Sequence, residues 1–312
     1  MNTNTIVLTG ATGFLGSHIL KGLLHTSTYH VVVLKRSFSD LTRIANLLQR
    51  YDVECLNVDL EENTIRQRFS KGDISAVIHC ATEYGRGRKP IASVLRANLI
   101  FPINLLDMCV EFGVDVFINT DSYFNKPSLQ YPYLLDYSLS KKSLLLWLPY
   151  FANKLRIANM TLEHIFGPTD GEAKFVTTVI KQIAIAKSKT VSLSPGNQIR
   201  DFIYVYDVVS AYLTVLATLL AERKTCLKEF EVGTGQGTSI RSFVEAIKEL
   251  SGSPTQLKFG AIPYRDAEIM DSKANTDSLM KLGWHPNYNY YSGLTDLLKR
   301  MRAFNMNHIQ GN

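Results

Sequence analysis

Two tyrosine–lysine pairs in this sequence have the spacing of an acid/base catalyst. Tyr137 precedes Lys141 by four residues, and Tyr150 precedes Lys154 by the same interval. Residues four apart share one face of a helix, so the ammonium can stabilise a phenolate and lower a pKa that is normally ~10. We expect Tyr137 just beyond the carboxyl edge of a sheet, where open α/β folds bind ligands, and Lys154 at a helix C-terminus. The expected positions therefore favour Tyr137 and Lys141 as the catalytic pair and a structural role for Tyr150 and Lys154.

A hydroxyl group that holds a carbonyl oxygen would complete this pair. The fifth predicted strand ends in Asn119-Thr120-Asp121-Ser122, which brings hydroxyl side chains to the same edge of the sheet. We expect Thr120 to share the substrate oxygen with Tyr137, with Ser122 as the alternative for that role.

A glycine-rich loop joins the first predicted strand to the first predicted helix. Gly10 and Gly13 allow a tight turn and a close approach to a pyrophosphate, and Gly16 allows the helix to pack against the sheet. The helix N-terminus adds N–H groups and the positive end of its dipole. The loop residues predicted to contact a dinucleotide are Gly10, Thr12, Gly13, Phe14, Leu15 and Gly16.

The end of the second predicted strand indicates which dinucleotide is bound. Sheets that bind NAD usually place Asp or Glu there, against the ribose 2′-hydroxyl. This sequence has Lys35-Arg36-Ser37 instead, two cations and a hydroxyl that suit a 2′-phosphate, and no carboxylate to repel it. We therefore expect NADPH (NADP) as the cofactor; a merely solvated strand end is the alternative.

Short β-branched segments alternate with helical ones over the first 160 residues, and one predicted helix covers Tyr137 to Lys154. This alternation predicts βαβ units and a parallel sheet with right-handed crossovers. After Gly167-Pro168, helical segments mix with short aromatic strands. The predicted fold class is α/β, a Rossmann-type doubly wound parallel sheet with a smaller C-terminal substrate-binding lobe. The dinucleotide-binding domain is expected over residues 1–165, with returning segments from the second half, and the lobe over residues 166–312.

The composition narrows the class of protein. The 312 residues are 46% hydrophobic and 20% charged, and the net charge of +6 is not concentrated in a Lys/Arg block. This is globular composition suited to anionic small ligands, without the basic, aromatic-interleaved surface of a nucleic-acid binder.

No apolar run reaches the ~18 residues of a membrane span, and the N-terminus lacks signal-peptide features. Four widely spaced cysteines predict free thiols and no metal site, so we expect a cytoplasmic protein.

Several motifs together resemble those of the extended short-chain dehydrogenases/reductases that modify nucleotide sugars, and the resemblance covers nearly the whole chain. These motifs are Gly10-x-x-Gly13-x-x-Gly16, Tyr137-x-x-x-Lys141, Phe166-Gly167-Pro168, Arg200-Asp201-Phe202-Ile203-Tyr204-Val205 with Asp207, and Leu282-Gly283-Trp284-x-Pro286.

The resemblance implies roles for individual residues. Tyr137 would act as general acid/base, Thr120 would bind the carbonyl oxygen, and Lys141 would hold the nicotinamide ribose and lower the pKa of Tyr137. Asp59, after the third strand, would contact the adenine. The remaining residues assigned to the cofactor site are Leu60, Ala81 and Tyr137 itself.

The resemblance also favours one reaction. The nucleotide-sugar 4,6-dehydratases carry Thr-Asp-Glu after the fifth strand, but Ser122 takes the third place here, so the elimination base is missing. The 4-epimerases retain NAD and usually have an Asp where this chain has Lys35-Arg36. The segments around Cys80 and His164 resemble reductases that act on CDP-4-dehydro-3,6-dideoxyglucose for O-antigen synthesis. We therefore expect an NADPH-dependent 4-ketoreductase; the alternatives are a 4-epimerase with bound NAD and a reductase of a dTDP-4-keto-6-deoxysugar.

The expected partner is a nucleotide sugar, with no nucleic acid and no membrane. Arg200 and Arg265 match positions where the family uses arginines on pyrophosphate and ribose, and a guanidinium suits phosphate oxygens. A surface salt bridge is the alternative for each, and a packed, hydrogen-bonded histidine is the alternative for His164. A homodimer through Ile91–Phe112 and Tyr137–Lys154 is a further family expectation. The full substrate-site assignment is Glu83, Asp121, Ser122, His164, Lys174, Arg200 and Arg265.

Overall fold

The computed structural model describes residues 4–26, 28–59, 63–87, 89–126 and 134–309, with side chains described as far as residue 303. The chain divides into two compact units. Unit 1 consists of Met1–Leu162, Val209–Glu231 and Asp277–Trp284, and unit 2 consists of Glu163–Val208, Val232–Thr276 and His285–Asn312.

The strands, in chain order, are β1 (Asn4–Thr9), β2 (Tyr29–Lys35), β3 (Val53–Asn57), β4 (Ile74–His79), β5 (Val116–Ser122), β6 (Arg156–Leu162), β7 (His164–Phe166), β8 (Thr190–Leu193), β9 (Ile199–Arg200), β10 (Phe202–Tyr204), β11 (Cys226–Val232), β12 (Thr238–Ser239), β13 (Gln256–Phe259) and β14 (Asp271–Ser272).

The α-helices are α1 (Phe14–His25), α2 (Ala45–Arg50), α3 (Thr64–Phe69), α4 (Ile91–Leu95), α5 (Phe101–Phe112), α6 (Leu135–Leu145), α7 (Leu148–Phe151), α8 (Phe175–Ile180), α9 (Val205–Ala221), α10 (Ile240–Ser251), α11 (Asp277–Met280) and α12 (Tyr290–Ile309). The segments Arg96–Ile100 and Lys181–Ile185 form π-helical turns, and Tyr123–Asn125 forms a 3-10 turn.

The main sheet has seven strands in the order β11-β6-β5-β4-β1-β2-β3. The pairs β1–β2, β2–β3, β1–β4, β4–β5 and β5–β6 are parallel. The order reverses between β1 and β4, which is the switch point where open α/β sheets bind ligands beyond the carboxyl ends of their strands. The predicted Rossmann-type parallel sheet is therefore confirmed.

The central strands are buried because helices cover both faces of a parallel sheet. The runs Ile6–Leu8 and Val31–Val33 have no exposed surface, and Val7 and Val32 share a core with Leu105, Phe117 and other apolar residues. Unit 2 has its own core, in which Phe202 and Phe243 stack with ring centroids 3.7 Å apart, and its small sheets are β10-β7, β12-β9-β14 and β13-β8.

One sequence expectation about membranes needs correction. The α4 helix, the π-helical turn and α5 form a continuous helix, Ile91–Phe112, that is long and apolar enough to cross a membrane by length and composition. A core helix of a soluble protein passes the same test; 33% of the most apolar window of this helix is buried, and Leu105 and Cys109 belong to the same core as Phe117 of the sheet. The sequence alone did not show this span because Arg96 and Asn98 interrupt its apolar run.

The predicted helix from Tyr137 to Lys154 is shorter in the structure. It ends at Leu145, and a separate single turn, Leu148–Phe151, follows with Pro149 in its first turn. Proline has no N–H for a continuing helix and is tolerated only at a helix start, which explains the break. The second pair thus lies outside the first helix, and the Lys154 ammonium lies 5.7 Å from the ring centroid of Tyr150.

Candidate active site in unit 1

Tyr137 lies in the first turn of α6, immediately beyond β5, in an aromatic enclosure. The ring of Tyr84 stacks on it with centroids 4.8 Å apart, and Phe124 contacts it edge-on at 6.3 Å. Only 5% of Tyr137 is exposed. Two rings from different loops therefore fix the orientation of this phenol and exclude water from it.

Burial is the main influence on the acidity of Tyr137. It raises the pKa of the phenol well above 10, and Tyr84 and Asp121 act in the same direction, whereas a hydrogen bond with Ser122 lowers it. The phenol is consequently protonated at neutral pH. In this state it is equipped to give up a proton rather than to take one.

Lys141 lies one helical turn after Tyr137 and is 2% exposed. Its ammonium donates a hydrogen bond to the backbone carbonyl of Thr120, with Nζ 2.5 Å from the oxygen. Burial lowers the pKa of Lys141, and the nearby Asp121 and Cys80 oppose this effect. A buried ammonium is thus anchored to the backbone near the C-terminal end of β5, one helical turn from Tyr137.

The two candidate hydroxyls at the end of β5 have different partners. Ser122 hydrogen-bonds with the phenol of Tyr137. The Thr120 Oγ1 atom lies 2.8 Å from the Tyr212 hydroxyl and donates to Cys80 Sγ at 3.3 Å. Both hydroxyls remain within the same cluster, so the structure keeps the two alternatives raised by the sequence.

Tyr212 is a member of this cluster that sequence reasoning missed. It lies on α9, fully buried, and burial raises the pKa of its hydroxyl well above 10. In sequence it is one aromatic residue on an apolar helix, which is typical of core packing. Its partner Thr120 is 92 residues away, so local spacing gives no signal.

Asn98 is a second residue that the sequence did not indicate. It is fully buried in the π-helical turn, and its Nδ2 donates to the Ser140 hydroxyl at 2.9 Å and to the Glu83 carbonyl at 2.8 Å. Its Oδ1 accepts the N–H of Glu83 at 2.7 Å. Asn98 therefore ties α6 to the loop that carries Tyr84.

Asp121 and Glu83, both assigned to the substrate, already have partners within unit 1. The Asp121 carboxylate is buried and accepts hydrogen bonds from Asn125 at 2.7 Å and Asn159 at 3.4 Å. Burial raises its pKa, although Lys141 opposes this. The Glu83 carboxylate forms an ion pair with Lys89, with the charged atoms 2.5 Å apart.

The glycine loop has the shape of a phosphate cradle. Gly10 has a φ of +72°, and a Cβ there would lie 2.6 Å from the Ala81 nitrogen. A Cβ on Gly16 would overlap the carbonyl of Gly10. The first turn of α1 has no side-chain cap and no acidic residue, so its N–H groups suit an anion. The residues present, including Thr12 in the loop and Phe14 and Leu15 in the first helical turn, fit a dinucleotide.

The segment Lys35-Arg36-Ser37 at the end of β2 has no carboxylate of its own, but a carboxylate from the end of β3 lies against it. Asp59, which follows β3, accepts hydrogen bonds from the Ser37 N–H at 2.7 Å and the Ser37 hydroxyl at 2.8 Å. The physical reason is the parallel pairing of β2 and β3, which brings the two strand ends side by side. Lys35 donates to Asn57, and the guanidinium of Arg36 lies over Phe38. The predicted contact Leu60 lies outside the described residues.

Unit 2 holds the remaining predicted residues. Arg200 is buried and forms an ion pair with Glu268, with Nη2 2.6 Å from Oε1. His164 packs edge-on against Phe202, and burial lowers its pKa, so the imidazole is neutral at pH 7. Arg265 is exposed in the turn before Glu268, and Lys174 precedes α8 as its N-cap residue.

The parallel sheet with its glycine loop and the buried Tyr137–Lys141 pair are the features of a dinucleotide-binding enzyme fold, and comparison with known protein families agrees. Residues 6–233 match the NAD dependent epimerase/dehydratase family. The chain therefore belongs to this family, whose chemistry is of the oxidoreductase type.

Particular relatives narrow the comparison. The chain is 36% identical over 300 residues to CDP-abequose synthase from Salmonella typhimurium, covering 95% of this chain and 98% of that protein. It is 33% identical to CDP-abequose synthase from Salmonella muenchen, covering 94% and 96%.

Among solved structures, UDP-glucose 4-epimerase from Stenotrophomonas maltophila, with bound NAD and formylated UDP-arabinopyranose, superimposes with a TM-score of 0.82 at 22% identity. The match covers 97% of this chain and 99% of that one. At this identity the likeness supports the fold alone.

Proposed function

We propose that the protein reduces the 4-keto group of a nucleotide-linked deoxysugar with NADPH. The substrate and product proposed are CDP-4-dehydro-3,6-dideoxy-D-glucose and CDP-abequose (or CDP-paratose), for O-antigen and lipopolysaccharide biosynthesis. The observation that carries the proposal is the 36% identity to CDP-abequose synthase over 95% of the chain. The buried Tyr137, Lys141 and hydroxyl cluster supports the same type of reaction.

The residues of the chain supply the proton and the orientation. When bound, the reduced nicotinamide supplies a hydride to the carbonyl carbon of the sugar. Thr120 holds the carbonyl oxygen, and Tyr137 gives its proton to the alkoxide that forms there. The raised pKa of Tyr137 suits this direction, because the phenol is protonated before the reaction and the alkoxide is a far stronger base. The positive charge of Lys141, fixed to the backbone at Thr120, favours the phenolate that remains.

Residues of both sequence halves are assigned to ligands. The glycine loop, Ala81 and the residues after β2 and β3 would hold the dinucleotide. Arg200 would contact the diphosphate, with Glu268 fixing the plane of its guanidinium beforehand. The other residues assigned to the substrate are Glu83, Asp121, Ser122, His164, Lys174 and Arg265.

A 4-epimerase with bound NAD is the second candidate function. The observation that favours it is the carboxylate of Asp59 on Ser37, since an acid near the 2′ position suits NAD. An epimerase regenerates its cofactor in every turnover, so it consumes no added nicotinamide. Reduction of a dTDP-4-keto-6-deoxysugar is the third alternative; its nucleotide differs from CDP in the base and in lacking the ribose 2′-hydroxyl.

Product analysis tests the proposal. The protein is incubated with CDP- and dTDP-linked 4-keto sugars, each with NADPH and with NADH, and the product sugar is identified by NMR. We expect a 4-hydroxy sugar from the CDP-linked ketone. Absence of any reduced sugar with every substrate and cofactor would refute the proposal. Variant Tyr137→Phe is the matched control, because it keeps the aromatic ring and removes only the hydroxyl group that would donate the proton.

We also propose a homodimer formed by the segments Ile91–Phe112 and Tyr137–Lys154. Apolar side chains in both segments are exposed, with Ile91 at 59%, Leu139 at 54% and Leu146 at 78%. Large apolar side chains exposed in this way favour burial by a second copy. Light scattering after gel filtration should give the mass of two chains.

The four free cysteines support the expectation of a reducing, cytoplasmic compartment.

A further inference from the structure

The side chain of Thr120 has a single proton to donate, and two groups lie within hydrogen-bond distance of its oxygen. Thr120 Oγ1 donates to Cys80 Sγ at 3.3 Å, and it lies 2.8 Å from the hydroxyl oxygen of Tyr212. A hydroxyl donates one hydrogen bond and accepts up to two. Because the Thr120 proton points at Cys80, Tyr212 is the donor in the shorter bond.

The two hydrogen bonds of Thr120 differ in strength. An O–H···O distance of 2.8 Å is typical of a good hydroxyl hydrogen bond, whereas a thiol sulfur is a weak acceptor. Burial keeps both neighbours protonated, because it raises the pKa of Tyr212 well above 10 and the pKa of Cys80 to about 11. The oxygen of Thr120 is therefore fixed by Tyr212, while its proton is bound weakly and can turn to a stronger acceptor such as a carbonyl oxygen.

Both ends of the hydrogen bond from Tyr212 to Thr120 are rigidly placed. Thr120 lies in β5, between β6 and β4 of the main sheet, and its carbonyl accepts a hydrogen bond from Lys141. Tyr212 has no exposed surface and lies on α9. This helix packs closely against α1, since a Cβ on Gly22 would lie 2.6 Å from Val209 Cγ1. The distance between the two hydroxyls is thus set by packed elements of unit 1.

We infer that Tyr212 is a positioning residue for the reaction: it donates to the Thr120 oxygen and so leaves the Thr120 proton to bond the carbonyl oxygen of the sugar. Accepting a hydrogen bond also polarises a hydroxyl and makes it a stronger donor. The carbonyl oxygen gains negative charge as the alkoxide forms, so this donation should act on kcat more than on KM. The inference rests on the proposed function in taking Thr120 to hold the substrate oxygen.

Variant Tyr212→Phe removes the donor hydroxyl and keeps the ring that packs in the core. It leaves no proton of Thr120 unpaired, because Cys80 remains as the acceptor. Turnover of the CDP-linked 4-keto sugar is followed by the loss of NADPH absorbance. We expect kcat to fall about tenfold, the effect of one hydrogen bond, with KM for the sugar and for NADPH changed less than about twofold.

The same substitution in variants of Thr120 separates positioning from core packing. Thr120→Val keeps the shape of the side chain without a hydroxyl, and it should retain about a hundredth of the turnover. In this background Tyr212→Phe should lower kcat by less than about twofold more, because nothing is left to position. In Thr120→Ser the β-branch no longer restricts the hydroxyl, so Tyr212→Phe should lower kcat by more than about tenfold. A tyrosine that only packed in the core would cause the same loss in all three backgrounds.

Tyr29→Phe is the matched control. Tyr29 is a partly buried tyrosine at the start of β2, at the amino edge of the main sheet, and the variant loses the same hydroxyl group. Its kcat should stay within about twofold of the wild-type value. Thermal unfolding of each variant shows that the compared proteins are folded.

An unchanged kcat in Tyr212→Phe overturns the inference, and so does an equal loss in the wild-type and Thr120→Val backgrounds. If Tyr212→Phe does not accumulate as folded protein, Thr120→Ser decides: a kcat within about threefold of wild type supports a hydroxyl fixed by Tyr212, and a loss as large as that of Thr120→Val overturns it. Absence of turnover in the wild-type protein contradicts the proposed function itself.

Discussion

Asp201 offers the sharpest test of how unit 2 is held together. Its carboxylate has no exposed surface and accepts four hydrogen bonds. The donors are the Thr234 N–H at 2.8 Å, the Thr234 hydroxyl at 2.6 Å, the Gly235 N–H at 2.9 Å and the Ala274 N–H at 3.1 Å. One side chain thus joins the turn between β9 and β10 to two other loops of the unit.

Variant Asp201→Ala would leave three backbone N–H groups without their acceptor. A buried donor without a partner costs about 1–3 kcal/mol, and a cavity replaces the carboxylate. Water can reach part of the Thr234–Gly235 loop and bond some of the freed donors. We therefore expect the free energy of unfolding to fall by about 3–5 kcal/mol. Since Arg200 is the preceding residue, binding of the proposed nucleotide substrate should weaken as well.

The measurement is urea unfolding followed by far-UV circular dichroism. Both tryptophans, Trp147 and Trp284, belong to unit 1, so tryptophan fluorescence would not report on unit 2 directly. Asp266→Ala, which removes an exposed carboxylate from the same unit, is the control and should change stability by less than about 0.5 kcal/mol. A decrease in the free energy of unfolding of less than about 1 kcal/mol in Asp201→Ala would refute the reasoning, because three buried donors without an acceptor should destabilise the fold by more than that.

Three further predictions concern unit 1. Tyr137→Phe should lower turnover about a thousandfold without weakening cofactor binding; wild-type turnover in this variant would exclude Tyr137 as the proton donor. Ser122→Ala removes the hydrogen bond that orients the Tyr137 phenol, so turnover at neutral pH should fall about tenfold; unchanged turnover would contradict the pairing. Arg68 donates two hydrogen bonds to Asp73 and lowers the pKa of that carboxyl in the folded protein. The stabilisation is therefore fully present above the pKa of ~4 that the carboxyl has in the unfolded chain, and it is lost as the pH falls through the lower pKa of the folded protein. The stability deficit of Arg68→Met should therefore shrink in acid, as thermal unfolding at several pH values can check; a constant deficit would refute this.

The sequence predicts the elements that carry strong local patterns. β1, β2 and β4 are apolar runs buried on both faces, and the glycine loop sits directly between β1 and α1, so both were recognisable from residue types. β11 was missed because its residues alternate with charges, as in Lys228-Glu229-Phe230-Glu231, and it lies at the edge of the sheet beside β6.

Contacts between distant residues explain the rest of the site. The Tyr-x-x-x-Lys spacing predicts which residues share a helix face, but it does not show that Thr120 meets Tyr212, which lies on α9 and is 92 residues away in the chain. The carboxylate on Ser37 was detectable in principle, because neighbouring parallel strands end side by side. Predicting this contact requires the register of β2 and β3. The residues that follow β2 alone do not reveal a carboxylate that comes from the end of β3.

The most direct test of the proposed reaction is its stoichiometry. Purified protein is given a known amount of CDP-linked 4-keto sugar with excess NADPH, and the oxidised nicotinamide is counted by its absorbance while the sugar is counted by NMR. A 4-ketoreductase consumes one NADPH for each ketone that disappears. Conversion of a nucleotide sugar without consumption of nicotinamide would contradict net reduction and favour the 4-epimerase.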